Sequence, residues 1–178
     1  MRTESGSHGT CLSFAESIRD NGFRPGRSGI RGAGVYLWAE SAEYLALARG
    51  WYGFRRDKGD YKRASDKECA VVIAKIVANE DEFFDLEDRE VVNHISELSK
   101  RKGIDTKNSN DIRKVYEIYI RAVETKAKKE FKVLEGRVGP PPAAYCPEYP
   151  VMLLGAPFSY IIRDTAVIIN TELVRCTI

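Results

Sequence analysis

The sequence predicts an α+β fold in a single domain. Helical periodicity occupies the first half and the middle of the chain, while strand-like pieces gather at its end. The run Cys69–Ala78, composed of Val, Ile and Ala and interrupted only by Lys75, is the strongest strand signal. A length of 178 residues fits one domain. A chain of that size buries roughly two-thirds of its unfolded surface, enough for a core without disulfide staples.

Met1–Ser7 is short and polar and reads as a poor strand. Ser13 and Glu16 have capping-box spacing, which starts a helix near Phe14. Phe14 and Ile18 give that helix its buried face, and Asn21-Gly22 stops it. A Gly/Arg-rich loop then runs through Arg31. Val35–Trp38 reads as a short strand, and Ser41 as the cap of a second helix that Gly50 ends. Trp51–Lys67 reads as a charged loop. Glu80–Asp88 is acidic, with Phe83 and Phe84 buried within it.

Two helices follow. Arg89–Lys102 carries Val91, Ile95 and Leu98 on one face and a basic last turn before Gly103. The second starts after the Asn108-Ser109-Asn110 cap region and carries the stripe Ile112, Tyr116, Tyr119, Val123. Gly136–Pro150 is rich in proline and reads as a stiff extended loop. Val151–Leu154, Ser159–Ile162, Ala166–Ile169 and Leu173–Ile178 read as strands.

The composition narrows the function classes. Hydrophobic residues make up 43%, as in soluble globular proteins, and no apolar run approaches the ~18 residues of a membrane span. No signal peptide is visible, so a cytoplasmic protein with reduced thiols and no membrane partner is expected. Cys11, Cys69, Cys146 and Cys176 are scattered, and the only histidines are His8 and His94, so no metal site is expected. His94 reads as structural. Net charge is +2, yet Lys100–Lys132 holds eleven Lys/Arg against five Asp/Glu, and Arg55–Lys67 six against three. These are two basic patches on a near-neutral body.

Three stretches could carry chemistry. At His8-Gly9-Thr10 a ring nitrogen adjoins a residue without a side chain, where a ligand can reach the main chain. Taken alone, it reads more simply as a histidine and a turn glycine near a flexible terminus. Gly32–Tyr44 brings two glycines, Tyr36, Ser41 and Tyr44 together in sequence. It is neither a dinucleotide fingerprint nor a Walker loop, since it lacks a third glycine and a Gly-Lys-Ser/Thr end. It reads either as a glycine turn into a core strand or as a clamp in which Tyr36 and Tyr44 sandwich a planar ring. Glu172 sits within the apolar pattern Ile168–Val174. It is either a functional carboxylate or the solvent face of an edge strand.

Together these pieces resemble the ADP-ribosyltransferases of the diphtheria-toxin and poly(ADP-ribose) polymerase branch, marked by separated His, Tyr and Glu. His8 in His-Gly-Thr, Tyr36 in Gly-x-Gly-Val-Tyr-Leu-Trp and Glu172 in Asn-Thr-Glu-Leu-Val follow that order. Ala15, Ser17-Ile18, Gly22-Phe23 and Pro25 fit between the first two, and Ser41–Tyr44 is similar to the family's second nicotinamide-contacting stretch. His8–Tyr44 is the specific part, and Asp81–Pro150 matches nothing in the family.

The resemblance implies an ADP-ribosyltransferase-like fold: two packed small antiparallel-rich sheets with flanking helices, one catalytic domain over 1–178, and a basic helical insertion at about 89–135. It implies NAD+ as substrate and no metal. His8 would bond the adenosine ribose. The Gly9 main chain, helped by Ser41, would hold the nicotinamide carboxamide within His8-Gly9-Thr10. Tyr36 and Tyr44 would sandwich the nicotinamide, and Glu172 would bind the nicotinamide ribose. A carboxylate there stabilises the oxocarbenium-like charge of the transition state. One of Arg24, Arg27 and Arg31 would contact the pyrophosphate.

The compact chain resembles bacterial or phage-encoded toxin-like transferases, which implies transfer of a single ADP-ribose and an antitoxin or immunity partner. The basic patches, with Trp51, Tyr52, Tyr116 and Tyr119 near them, favour a nucleic-acid acceptor such as RNA over protein. Two alternatives stand beside this reading. One is an RNA 2′-phosphotransferase, which relies on arginines in place of the Glu. The other is a module that holds NAD+ or ADP-ribose without turnover.

Overall fold

The computed structural model describes residues 1–27, 29–105 and 107–176. Seven strands form one mixed sheet in the order β4-β5-β6-β2-β1-β3-β7. They are β1 (Arg2–Cys11), β2 (Val35–Ala39), β3 (Cys69–Ala78), β4 (Phe83–Asp85), β5 (Val133–Arg137), β6 (Phe158–Ile162) and β7 (Ile168–Arg175). The helices are α1 (Leu12–Asn21), α2 (Tyr44–Asp57), α3 (Arg89–Lys102), α4 (Ser109–Ala127) and the four-residue α5 (Val151–Leu154). Among the described residues no helix is long and apolar enough to cross a membrane.

The α+β class agrees with the sequence, but the expected pair of packed sheets is replaced by a single sheet. Only β4 and β5 run parallel; the other neighbours are antiparallel. The two halves of the sheet meet in a narrow seam. β1 pairs with β2 at Gly6↔Ala39 and Ser7↔Trp38, whereas it pairs with β3 along all ten residues.

The polar start of β1 is therefore a full central strand and not a poor one. Its polar side chains are partnered at long range, which is what burial of such groups requires. The Arg2 guanidinium donates to both carboxylate oxygens of Glu135, at 3.1 and 2.8 Å, and stacks 4.3 Å from the Phe83 ring centroid. Glu4 accepts from Arg2 and from the Tyr160 hydroxyl, at 2.6 and 2.7 Å. These carboxylates hold the Arg2 guanidinium firmly in its charged form.

One sheet face packs Leu12, Ala15 and Phe23 from and beyond α1 onto Val35, Leu37, Val72, Ile76 and Ile162. On the other face α2 sets Leu47 and Ala48 against Trp38 and Val71. Farther along, α4 sets Tyr116 and Ile120 against Leu134 and Ile161. Val115, Tyr116 and Ile120 are the buried residues of α4, with Ile112 and Val123 flanking them. Tyr119 is displaced toward Phe84 and His94.

Helix boundaries show where local rules yield to packing. α1 begins at Leu12, because the Ser13 hydroxyl donates to the Asp66 carbonyl and does not cap. Asp88 and Asn108 do cap α3 and α4, and Gly103 closes α3 in the left-handed conformation. α2 passes through Gly50 without stopping. A Cβ there would meet the Tyr145 carbonyl oxygen at 2.7 Å, so this glycine admits the proline-rich segment against the helix.

Val151–Leu154 is helical rather than extended, bounded by Pro150 and Gly155, and projects Met152 and Leu153 into solvent. Thr165–Val167 forms a 3₁₀ turn before β7, and β7 ends at Arg175, so of the four expected terminal strands three are not strands in full. The end of the expected Leu173–Ile178 strand, at Thr177 and Ile178, lies outside the described residues. Helix in the basic middle segment ends at Ala127, and Val133–Glu135 belongs to the sheet.

Candidate functional site

Beyond Ser7 and Trp38 the edges of β1 and β2 part. Val35 and Tyr36 remain laddered to β6 on their other side. The Ser5 carbonyl accepts from the Glu40 N–H, so alternate residues of β1 turn their main chain toward β2. By that alternation Gly9 directs its N–H and C=O into the gap. The other side of Gly9 is closed, since a Cβ would stand 1.7 Å from the Ala48 carbonyl oxygen of α2. Helix α2 thus braces the strand at the residue whose main chain is free.

The gap opens into a cleft of about 890 Å³. His8, Gly9 and Thr10 from β1, Tyr36 and Trp38 from β2, and Arg24 from the loop after α1 all line it. His8 bridges the parting: its Nδ1 lies 3.1 Å from the Tyr36 carbonyl oxygen. A carbonyl only accepts, so Nδ1 carries the proton and Nε2 is left as an acceptor. Phe23 meets the imidazole edge-on, with centroids 5.5 Å apart. Burial lowers the His8 pKa, opposed by the bond to Tyr36, and the ring is held neutral.

Tyr36 is anchored at its hydroxyl, which accepts from the Arg31 N–H and donates to the Gly32 carbonyl, both at 2.9 Å. Burial pushes its pKa up to about 12, so it remains a neutral phenol. Gly29 lies directly on the ring; a Cβ there would come within 2.1 Å of it. Thr10 is buried beside Tyr61, whose pKa burial also raises to about 12. Arg55, paired with Asp60, brings the second basic patch to the cleft, and Ser109 brings the start of α4.

Five of the residues named for the site, Arg27, Arg31, Ser41, Tyr44 and Glu172, lie outside the cleft lining. The Arg31 guanidinium donates to the Arg137 carbonyl at 2.9 Å and stacks over Tyr116, 4.5 Å from its centroid. It holds the Tyr36 loop in place and is not offered to a pyrophosphate. Ser41 is exposed, its hydroxyl accepting from the Glu43 N–H at 3.3 Å in the turn before α2.

Tyr44 packs with Trp38, Leu47 and Ile73, while Tyr36 packs with Leu134 and Ile161, so the two rings belong to different clusters. Burial raises the Tyr44 pKa, with the nearby carboxylates of Glu40 and Glu172 adding to the shift. Glu172 is exposed on the edge strand β7. It stands opposite Ile73, which itself stands opposite Ser7, so β1 and β3 separate it from the β2 wall.

Among the buried polar residues of the cleft, Ser159 is not expected there from the sequence. Ser159 of β6 stands opposite Trp38, is 1% exposed, lines the cleft, and its hydroxyl has no hydrogen-bond partner among the described residues. The available signal was a serine inside the run Phe158–Ile162, a polar group where a core strand carries none. No protein-family model matches the chain, and no curated protein matches it by sequence.

Proposed function

We propose that the cleft binds NAD+ and that the chain transfers a single ADP-ribose from it to a macromolecular acceptor, releasing nicotinamide. The observation that carries this reading is the parting of β1 and β2. It leaves an unladdered Gly9 main chain on one edge and the His8–Tyr36 bridge on the other. A carboxamide has an N–H donor and a C=O acceptor, which complement the C=O and N–H of one strand residue as a paired strand would. The volume of about 890 Å³ lies within the roughly 300–1,000 Å³ of small-molecule sites.

In this reading His8 accepts from a ribose hydroxyl at Nε2. Tyr36 presents ring surface to the nicotinamide, and the exposed Arg24 meets the pyrophosphate. As the glycosidic bond breaks, its electron pair leaves with nicotinamide and positive charge develops on the ribose. Carbonyl oxygens on the parted edges, such as that of Tyr36, stabilise this charge. The acceptor oxygen then bonds to the ribose and its proton passes to solvent. Exposed on β7, Glu172 has no part in this scheme. Arg55 and the start of α4 at the cleft connect it to both basic patches, which favours a phosphate-rich acceptor such as RNA.

Binding of NAD+ or ADP-ribose without turnover is the second reading. The exposure of Glu172 on β7 favours it, because it leaves Asp60, already paired with Arg55, as the carboxylate in the cleft lining.

Incubation with labelled NAD+, followed by nicotinamide quantification and mass spectrometry of added RNA and protein, separates the two. Release of nicotinamide with label on RNA is expected, together with weaker NAD+ binding in Tyr36→Ala and unchanged release in Glu172→Gln. Binding without release selects the second reading, and absence of NAD+ binding overturns both.

A further inference from the structure

Four residues form a row across the sheet where the cleft begins: Gly136 of β5, Ser159 of β6, Trp38 of β2 and Ser7 of β1. Two are serines, both buried. The Ser7 hydroxyl donates to the Tyr44 carbonyl at 2.7 Å. The Ser159 hydroxyl, at the same level on the far side of Trp38, has no partner among the described residues. A buried hydroxyl without a hydrogen bond is costly, and native cores avoid one unless another molecule completes it. Ser159 lines the cleft, so the missing partner is one that enters there. The row carries no charged side chain, so the entering group is neutral. Beside Gly136 stands the Glu87 carboxylate, whose Oε1 would lie 3.1 Å from a Cβ at that position, so a phosphate or carboxylate would meet like charge there.

We infer that Ser159 is a ligand contact at the inner end of the cleft and makes it selective for a ligand that presents a neutral sugar hydroxyl there. This rests on the proposed reading, in which the hydroxyl belongs to the ribose that bears nicotinamide. The hydroxyl both donates and accepts, so it pairs with a ribose hydroxyl in either sense. Its role is separate from that of His8, which reaches across the gap from β1.

Two measurements test this, one of them free of ligand. In the unliganded protein Ser159→Ala removes no hydrogen bond, so its melting temperature should equal or exceed that of wild type, while Ser7→Ala should melt lower. A loss in Ser159→Ala matching that in Ser7→Ala would mean the hydroxyl is satisfied within the protein, and the inference falls.

In calorimetric titrations with NAD+ and with its analogues deoxygenated at the nicotinamide ribose, wild type should lose roughly tenfold in affinity for one analogue. Ser159→Ala should show the same loss for NAD+ itself and none further for that analogue. Equal affinity of wild type and Ser159→Ala for NAD+ overturns this inference alone. Absence of NAD+ binding to wild type overturns it together with the reading on which it rests.

Discussion

His8 and Tyr36 are joined across the parting of β1 and β2 by a hydrogen bond from the imidazole Nδ1 to the Tyr36 carbonyl oxygen, 3.1 Å long. The bond spans strands that pair at only two positions, and it holds the imidazole at the cleft with Nε2 free. Burial lowers the His8 pKa in the folded protein. The unfolded chain therefore binds the proton more readily. The stability held by neutral His8 is complete above the ordinary imidazole value of about 6.5 and is lost as pH falls from there through the lower folded value. Urea midpoints measured from pH 7 down to about 5 should fall more steeply for wild type than for His8→Asn. Parallel curves would show that His8 does not titrate differently on folding.

Gly9 is fixed by a neighbour distant in sequence. A Cβ at this position would stand 1.7 Å from the Ala48 carbonyl oxygen and 2.5 Å from its carbonyl carbon, both backbone atoms that no rotamer change can move aside. Gly9→Ala must therefore push α2 off β1. A destabilisation of about 1–3 kcal/mol is expected, at the upper end because the obstacle is main chain. Gly139→Ala, where a Cβ meets nothing within 4 Å, should cost far less and serves as the control. Denaturant unfolding of both variants measures the difference.

These contacts mark what a sequence displays and what it hides. Cys69–Ala78, α3 and α4 are legible because their signals are local: a β-branched run, a 3.6-residue stripe, Gly103 after α3 and the cap region at Asn108. β1 is illegible because Arg2 and Glu4 become buryable only through Glu135 and Tyr160, 133 and 156 residues away. Gly50 has the look of a helix stop, yet its reason is Tyr145.

At the site, His8, Gly9, Thr10, Arg24 and Tyr36 reach the cleft from the first strands and the loop between them. Glu172 does not, because strand order, which no local pattern encodes, puts β7 at the edge and β6 beside β2. The same order brings Ser159 to the cleft.

Lys128 is the non-glycine residue with positive φ among the described residues, at φ 53° and ψ 37°, where it ends α4. A lysine there carries the left-handed penalty of a Cβ, roughly 1 kcal/mol, which glycine lacks. Its N–H donates to the Glu124 carbonyl, and a glycine retains that bond. Lys128→Gly should raise stability by up to about 1 kcal/mol, or about 2–4 °C in melting temperature for a chain of this size. Lys126→Gly, inside the helix, should lower it by a similar amount. A calorimetric scan of the two variants checks the opposite signs.

Cys69 and Cys176 are free thiols whose sulfurs lie 2.8 Å apart where the chain leaves β7, and the Cys176 N–H donates to the Cys69 carbonyl. Burial pushes the Cys69 thiol above the ordinary range, so an oxidant meets the more exposed Cys176 first. Diamide would take up the two electrons and two protons released as the sulfur–sulfur bond forms. The expected product is a single Cys69–Cys176 disulfide, seen as a mass loss of two hydrogens, with Cys11 and Cys146 still alkylatable.

The bridge would join residues 107 positions apart, and constraint of the unfolded chain should add about 2–4 kcal/mol to stability. Cys176→Ser should abolish both the mass change and the stabilisation. A bridge through Cys11, which shares the buried cluster with Cys69, would show that strand pairing at the end of β7 opens before oxidation.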